Sequence, residues 1–193
     1  MIYLARHGQT EWNLARRYQG ASDSPLTELG QAQARRMGEL LSRLVPDPGG
    51  WRMVASPLGR AHHTARIIAQ TMGGTLAPEL DARLAEVSMG SWEGLSLDEL
   101  EARRPADLPY PERYFAAPGG ESFEGVLARL SDWLASVDET QNLILVSHGL
   151  SGRILRGLYG GLPREAMLTL PVPQDAIYRL ADGQVVQIDC DPA

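Results

Sequence analysis

Arg6-His7-Gly8 and Ser147-His148-Gly149 are the segments of this sequence whose residue types and setting promise chemistry. Each follows a short apolar run, Ile2 to Ala5 and Asn142 to Val146, that reads as a buried strand. In an open α/β sheet ligands bind where strands finish at their carboxyl ends, so two such histidines can face one another across a crevice. A third segment, Ser56-Pro57-Leu58-Gly59-Arg60-Ala61, leaves another strand and puts Arg60 in the first turn of a helix. Free N–H groups and the dipole favour an anion there. Two arginines, two histidines and a helix start together describe a pocket for a compact dianion such as phosphate.

Histidine can also be the nucleophile, because a neutral imidazole nitrogen attacks phosphorus to give a covalent phosphohistidine. With an ordinary pKa of about 6.5 it is largely neutral at physiological pH. The leaving oxygen then needs a proton donor. Glu86 is the candidate, isolated among Leu84, Ala85, Val87 and Met89, neighbours that raise a carboxyl pKa. Taken singly, each of these residues has a plainer reading as a structural histidine or a solvated glutamate. For the two histidines the repetition of one X-His-Gly form at two strand ends weighs against it; for Glu86 the solvated reading stays open on spacing alone.

The elements that must position these residues follow from pattern. Thr27 caps a helix whose apolar face runs from Leu29 to Leu44, and Pro46 to Gly50 breaks it. Trp51 to Ala55 reads as a second strand. Ser56 as N-cap and Pro57 at the first position then start a helix that runs to Gly73-Gly74. Ser96 and Glu99 have the spacing of a capping box on a short helix, and Ser122 caps an amphipathic one through Val137. Leu150 to Leu158 reads as helical. Ala176 to Leu180 and Val185 to Ile188 read as a hairpin turning at Asp182-Gly183. Trp12 to Asp23 reads as a loop, and Pro105 to Gly120 as an irregular, proline-rich excursion. Strands alternating with helices predict an α/β fold, a mostly parallel sheet covered on both faces.

The chain has 193 residues, enough for one well-buried core. The expectation is a single domain over 1–193 with a cap-like excursion around 96–120. The net charge of −6 excludes a global field for nucleic acid or anionic membranes, so any anion site is local. All 18 basic residues are arginine; without lysine, P-loop, Schiff-base and lysine-base chemistry are excluded. Cys190 is the sole cysteine, and neither a signal-type segment nor a membrane-length apolar run is evident, so the expected compartment is the cytoplasm.

The ordered set of motifs resembles the histidine phosphatase superfamily, the phosphoglycerate mutase-like proteins. It comprises Arg-His-Gly-Gln-Thr-Glu-Trp-Asn at 6 to 13, Asp-Ser-Pro-Leu-Thr-Glu-Leu-Gly at 23 to 30 and Ser-Pro-Leu-Gly-Arg-Ala at 56 to 61. Thr64-Ala65, Glu86 with Gly90-Ser91-Trp92-Glu93-Gly94, Gly120-Glu121-Ser122 and Ser147-His148-Gly149 complete it. The resemblance implies a three-layer α/β/α sandwich. It implies that His7 is the phosphorylated nucleophile, that Arg6, Arg60 and His148 hold the phosphoryl group with Asn13, and that Glu86 is the proton donor and later the base for water. Gln19, Gly20 and Ser22 fall where the family's substrate loop lies. No metal or other cofactor is required in that scheme, because the arginines and a protonated His148 supply the positive charge. The partner implied is a small phosphoester, with no nucleic acid or membrane, for a monomer or homodimer. Gly8 would let the backbone come close to the phosphate.

The sequence departs from the mutase branch, whose acid glutamate precedes an Arg-His-Tyr-Gly segment and which carries a longer insertion with paired arginines. Here Val87-Ser88-Met89-Gly90 follows Glu86, and the pattern resembles the phosphatase branch. Water is then the acceptor, with phosphotransfer between phosphoglycerates, or non-catalytic binding of a phospho-ligand, as alternatives. His62 and His63 invite a metal reading, but adjacent helical residues point about 100° apart and chelate poorly. Arg16-Arg17, Arg35-Arg36 and Arg103-Arg104 read as solvated faces, with substrate contact the alternative for Arg16 or Arg17 because that loop borders the nucleophile. One or two of Tyr110, Arg113, Tyr114 and Phe115 are candidates for substrate contact, with packing as the alternative.

Overall fold

The strand that carries His7 is buried on both faces, as a continuous apolar run requires. In the computed structural model, which describes residues 1–103 and 112–190, β1 (Ile2–Arg6) sends Ile2 and Leu4 into one core and Tyr3 and Ala5 into another. β4 (Asn142–Ser147) lies beside it in parallel, with Ala5 opposite Val146 and Arg6 opposite Ser147. β2 (Trp51–Ala55) runs parallel on the far side of β4, and β3 (Pro78–Leu80), which the sequence pattern does not predict, pairs with β2. On the other edge β5 (Ala176–Ala181) pairs antiparallel with β1, and β6 (Gln184–Asp189) with β5. The order is β3-β2-β4-β1-β5-β6. The hairpin turns at Asp182-Gly183 as predicted, both with the positive φ, 52° and 71°, that a tight type I′ turn requires.

Helices cover both faces. α2 (Glu28–Leu44) and α3 (Gly59–Thr71) pack on the side of Tyr3 and Ala5. α5 (Phe123–Ala135), α6 (Gly149–Tyr159) and α7 (Arg164–Thr169) pack on the side of Ile2 and Leu4. The result is the expected three-layer sandwich. Among the described residues no helix is long and apolar enough to cross a membrane. Of the proline-rich excursion, 104–111 and with it Tyr110 lie outside the described residues; Glu112–Phe115 forms a single 3₁₀ turn.

The predicted caps at Thr27, Ser96 and Ser122 accept the N–H groups of Gly30, Glu99 and Gly125 at 3.0, 3.2 and 3.1 Å. Ser96 opens the short α4 (Leu97–Glu101), with Glu99 returning a bond to the Ser96 N–H as the capping box requires. Two readings are corrected. The 12–23 segment is not all loop: α1 (Glu11–Leu14) forms one turn, closed by a reciprocal Thr10–Asn13 capping box invisible to apolar periodicity. α3 begins at Gly59 rather than at Pro57, and Ser56 is not its cap. Its start is served instead by Asp23, which accepts the Arg60 N–H at 3.2 Å from another part of the chain. Gly8 has a packing role as well, because a side chain there would collide with the Gly30 carbonyl. Gly30 in turn faces the Gln9 backbone, so the turn after β1 and the start of α2 touch main chain to main chain.

This contact predicts that Gly30→Ala destabilises the fold by about 1–3 kcal/mol, the range for overpacking. The loss in denaturant unfolding should exceed that of Ser122→Ala, at about 1 kcal/mol for a lost cap. A smaller loss would show that the two backbones can separate.

Candidate active site

Register brings the two histidines together. The His7 N–H donates to the Ser147 carbonyl at 3.0 Å, so the chain continues in step past the ends of β1 and β4. The rings of His7 and His148 lie edge to face with centroids 5.2 Å apart, each 2% exposed. His7 Nδ1 meets the Gly8 carbonyl at 2.8 Å and therefore carries the proton, leaving the Nε2 lone pair free to face Arg60. Arg60 Nε donates to that lone pair at 3.3 Å. His148 Nε2 lies 2.7 Å from Ser56 Oγ, which also accepts the Leu58 N–H at 3.3 Å just before α3.

Arg60 is itself only 2% exposed, and its remaining donors go to the carbonyls of Ser22 at 2.7 Å and Gly20 at 2.8 Å and to Asp23 Oδ1 at 3.1 Å. Arg6 Nη1 donates to the Val172 carbonyl at 2.6 Å. Arg6 Nε and His148 Nδ1 are buried with no partner. The Arg6 Nε–H is an orphaned donor that needs an acceptor, and an oxyanion supplies one. Burial lowers the Arg6 pKa to about 10, which leaves it charged at neutral pH.

Burial pushes both imidazoles well below 6.5; the charge of His148, then Arg6 and Arg60, adds to it for His7, and Arg60, then Arg6 and Arg129, for His148. In the free site this disfavours a charge on His148; the expectation of a protonated His148 concerns the pocket with a phosphoryl group bound. The expectation of a raised Glu86 pKa is corrected. Burial pushes its carboxyl up, but N–H bonds from Ser151 at 2.9 Å, Leu150 at 3.1 Å and Val87 at 3.1 Å, with Arg60 nearby, bring it below the ordinary value of 4.5. It sits on the first turn of α6 rather than among apolar groups alone, and it is ionised.

These groups line a cleft of about 380 Å³ that also takes in Asn13, Gln19 and Gly20. Asn13 Oδ1 accepts from the Thr10 N–H and from Gln174 Nε2, both at 3.1 Å, which turns its amide N–H₂ toward the cleft. His148 lies against His7 without lining the cleft itself. Ser22 does not line it: its hydroxyl donates to Glu93 at 2.5 Å and its carbonyl holds Arg60, so its predicted contact with substrate is corrected to support of Arg60. Arg16, Arg17 and Tyr114 reach the cleft. Arg113 instead pairs with Glu101 at 3.3 Å, and Phe115 packs edge-on against Phe123. Among the described residues no three His, Cys, Asp or Glu side chains converge as a metal-binding group, His62 and His63 included.

Sequence reasoning missed Arg153 and Gln174. Arg153 lines the cleft one helical turn past Gly149, a four-residue spacing that was readable once α6 was placed. Gln174 donates to the His7 carbonyl at 3.2 Å as well as to Asn13, and no local pattern marks it.

Comparison with known proteins identifies relatives of the whole chain. The profile of the histidine phosphatase superfamily (branch 1) matches residues 2–184. The probable phosphoglycerate mutase GpmB of Erwinia tasmaniensis is 38% identical over 201 aligned positions, covering 96% of this chain and 90% of that protein. Among solved structures, a mycobacterial glucosyl-3-phosphoglycerate phosphatase is 32% identical with a TM-score of 0.76, covering 92% of each chain. The α-ribazole phosphatase from Shigella flexneri is 26% identical with a TM-score of 0.79, covering 99% of this chain and 96% of that one.

The lowered imidazole values carry a pH signature. The unfolded chain binds protons on His7 and His148 below about pH 6.5 and the folded protein does not, so stability is full above that pH and falls as pH drops beneath it. The unfolding midpoint should therefore decline from pH 7.5 to 5.5, and His148→Gln should flatten the decline. Glu86, lowered from 4.5, acts at lower pH and leaves this window to the histidines. An identical slope in His148→Gln would contradict the assignment.

Proposed function

Because the chain belongs to the histidine phosphatase superfamily (branch 1), we propose that it hydrolyses small phosphomonoesters through a covalent phosphohistidine on His7. The observation that carries this reading is the Nε2 lone pair of His7, set by the Nδ1 bond to Gly8 and pointed at a cleft edged by Arg6 and Arg60.

In the free protein Arg60 Nε occupies that lone pair. An entering phosphoryl oxygen takes over the Arg60 donor, and the Arg6 Nε–H binds a second oxygen, which frees Nε2 to attack phosphorus. The neutral His148 ring contributes through Nδ1 as a donor, with the Ser56 hydroxyl donating to Nε2. As the N–P bond forms, the bond from phosphorus to the leaving oxygen breaks and that oxygen takes a proton from Glu86. Glu86 is ionised in the free site, but a phosphoryl dianion beside it raises its pKa and favours uptake of that proton on substrate binding. In the second half Glu86 accepts a proton from water, the water oxygen attacks phosphorus, and the N–P bond breaks to release phosphate and neutral His7.

Hydrolysis is supported over transfer by the Val87-Ser88-Met89-Gly90 sequence after Glu86 and by likeness to the two phosphatase structures. The name of the Erwinia relative favours a second reading, phosphotransfer between phosphoglycerates. Arg16, Arg17 and Arg153 around the cleft suit a substrate whose organic part is polar or acidic under either reading.

Assay against a set of phosphorylated metabolites, with chelator present, should show release of inorganic phosphate. His7→Ala should lower kcat by about 10³-fold or more, the scale for loss of a covalent nucleophile. Undiminished hydrolysis in that variant would sink the mechanism. Complete inhibition by chelator would refute metal independence, and conversion of 3-phosphoglycerate without phosphate release would establish transfer. Glu86→Gln should lose most activity on esters with poor leaving groups; an even loss would remove its role as acid.

A further inference from the structure

Arg60 is held by main-chain carbonyls, so something must hold the carbonyls. Those of Gly20 and Ser22 belong to a turn in which the Ser22 N–H donates to the Gln19 carbonyl at 3.0 Å and Gly20 adopts φ of 55°. The Glu93 carboxylate accepts from the turn the Ala21 N–H at 2.8 Å, the Ser22 N–H at 2.9 Å and the Ser22 hydroxyl at 2.5 Å. From the segment after Glu86 it accepts the Met89 N–H at 3.0 Å and the Ser88 hydroxyl at 3.3 Å.

The Ala21 N–H and the Gly20 carbonyl are two ends of one peptide group. A trans peptide points them in opposite directions. Glu93 on the N–H therefore aims the carbonyl at Arg60 Nη2, and the peptide dipole lies in line between carboxylate and guanidinium. A Cβ at position 20 would strike Glu93 Oε1, so the turn closes directly on this carboxylate. Burial raises the Glu93 carboxyl, but the bonds from Ser22, Ala21 and Met89 outweigh it and keep the group ionised.

We infer that Glu93 is a positioning residue for the phosphoryl pocket: it orients Arg60 against His7 through the 20–22 turn and ties that turn to the segment carrying Glu86. The inference rests on the phosphatase reading for its activity readout, while its binding readout, inorganic phosphate measured by calorimetry, does not depend on turnover. Glu93→Gln puts an N–H₂ donor among N–H donors. It should weaken phosphate affinity and lower kcat/KM on a small phosphomonoester by about 10- to 100-fold, the range for hydrogen bonds to a charged group. Glu93→Asp, keeping the charge but not the reach, should lose less.

The deciding measurement is the double-mutant cycle. In an Arg60→Ala background Glu93→Gln should cost less than about twofold, because its effect passes through Arg60. A loss that multiplies in full in both backgrounds would overturn the inference and leave the phosphatase reading standing. Coupling seen in phosphate binding by a protein without hydrolytic activity would do the reverse. If Glu93→Gln does not fold, Ser22→Ala removes the 2.5 Å bond alone and should show the same coupling at smaller size, with additivity again the refuting result.

Discussion

A guanidinium cannot shed its proton to escape burial, and this constraint organises the site around Arg60. At 2% exposure the group must find acceptors in the protein. Asp23 supplies one carboxylate oxygen, and the other contacts are two carbonyls and an imidazole nitrogen. With Asp23 paired on one side only and dipoles on the others, the guanidinium keeps charge to offer, an arrangement suited to a dianion. A carboxylate fully paired with it would have neutralised the pocket.

The same device recurs on the opposite wall. Leu170, Pro171 and Val172 offer successive carbonyls to Arg153 at 2.5 Å, Arg156 at 2.5 Å and Arg6 at 2.6 Å. Two positions later Gln174 reaches the His7 carbonyl and Asn13. One short segment thus anchors three cations and fixes the amide that faces the cleft. A chain that uses only arginine as its base benefits from that residue's fork of donors, since a buried lysine would tend to deprotonate.

Burial and these cations act together on the groups between them. Burial foremost, with the arginines adding to it, disfavours charge on both imidazoles, and the N–H groups of Ser151, Leu150 and Val87 together with Arg60 keep Glu86 ionised. The positive charge in the free site comes from arginine alone. In the mechanism proposed above, proton uptake by Glu86 is coupled to arrival of an anion.

Much of this was legible in the sequence because it is local. Continuous apolar runs encode strands buried on both faces, Thr27, Ser96 and Ser122 encode helix starts, and Asp182-Gly183 encodes a tight turn; each needs only neighbours in the chain. Arg6, His7, Arg60, Glu86 and His148 were identifiable as residue types at element ends. Their protonation was not, because a pKa depends on groups brought close from distant parts of the chain: Glu86 looked apolar along the sequence and meets three N–H donors in space. Ser56 looked like a cap and instead meets His148, while Asp23 serves α3 from 37 residues away. The sequence alone determined which side chains arrive at the carboxyl ends of β1 and β4. Tertiary structure decided which of them are charged, which atoms are free to act, and which carbonyls hold the arginines, since those are properties of distances between segments that no local pattern encodes.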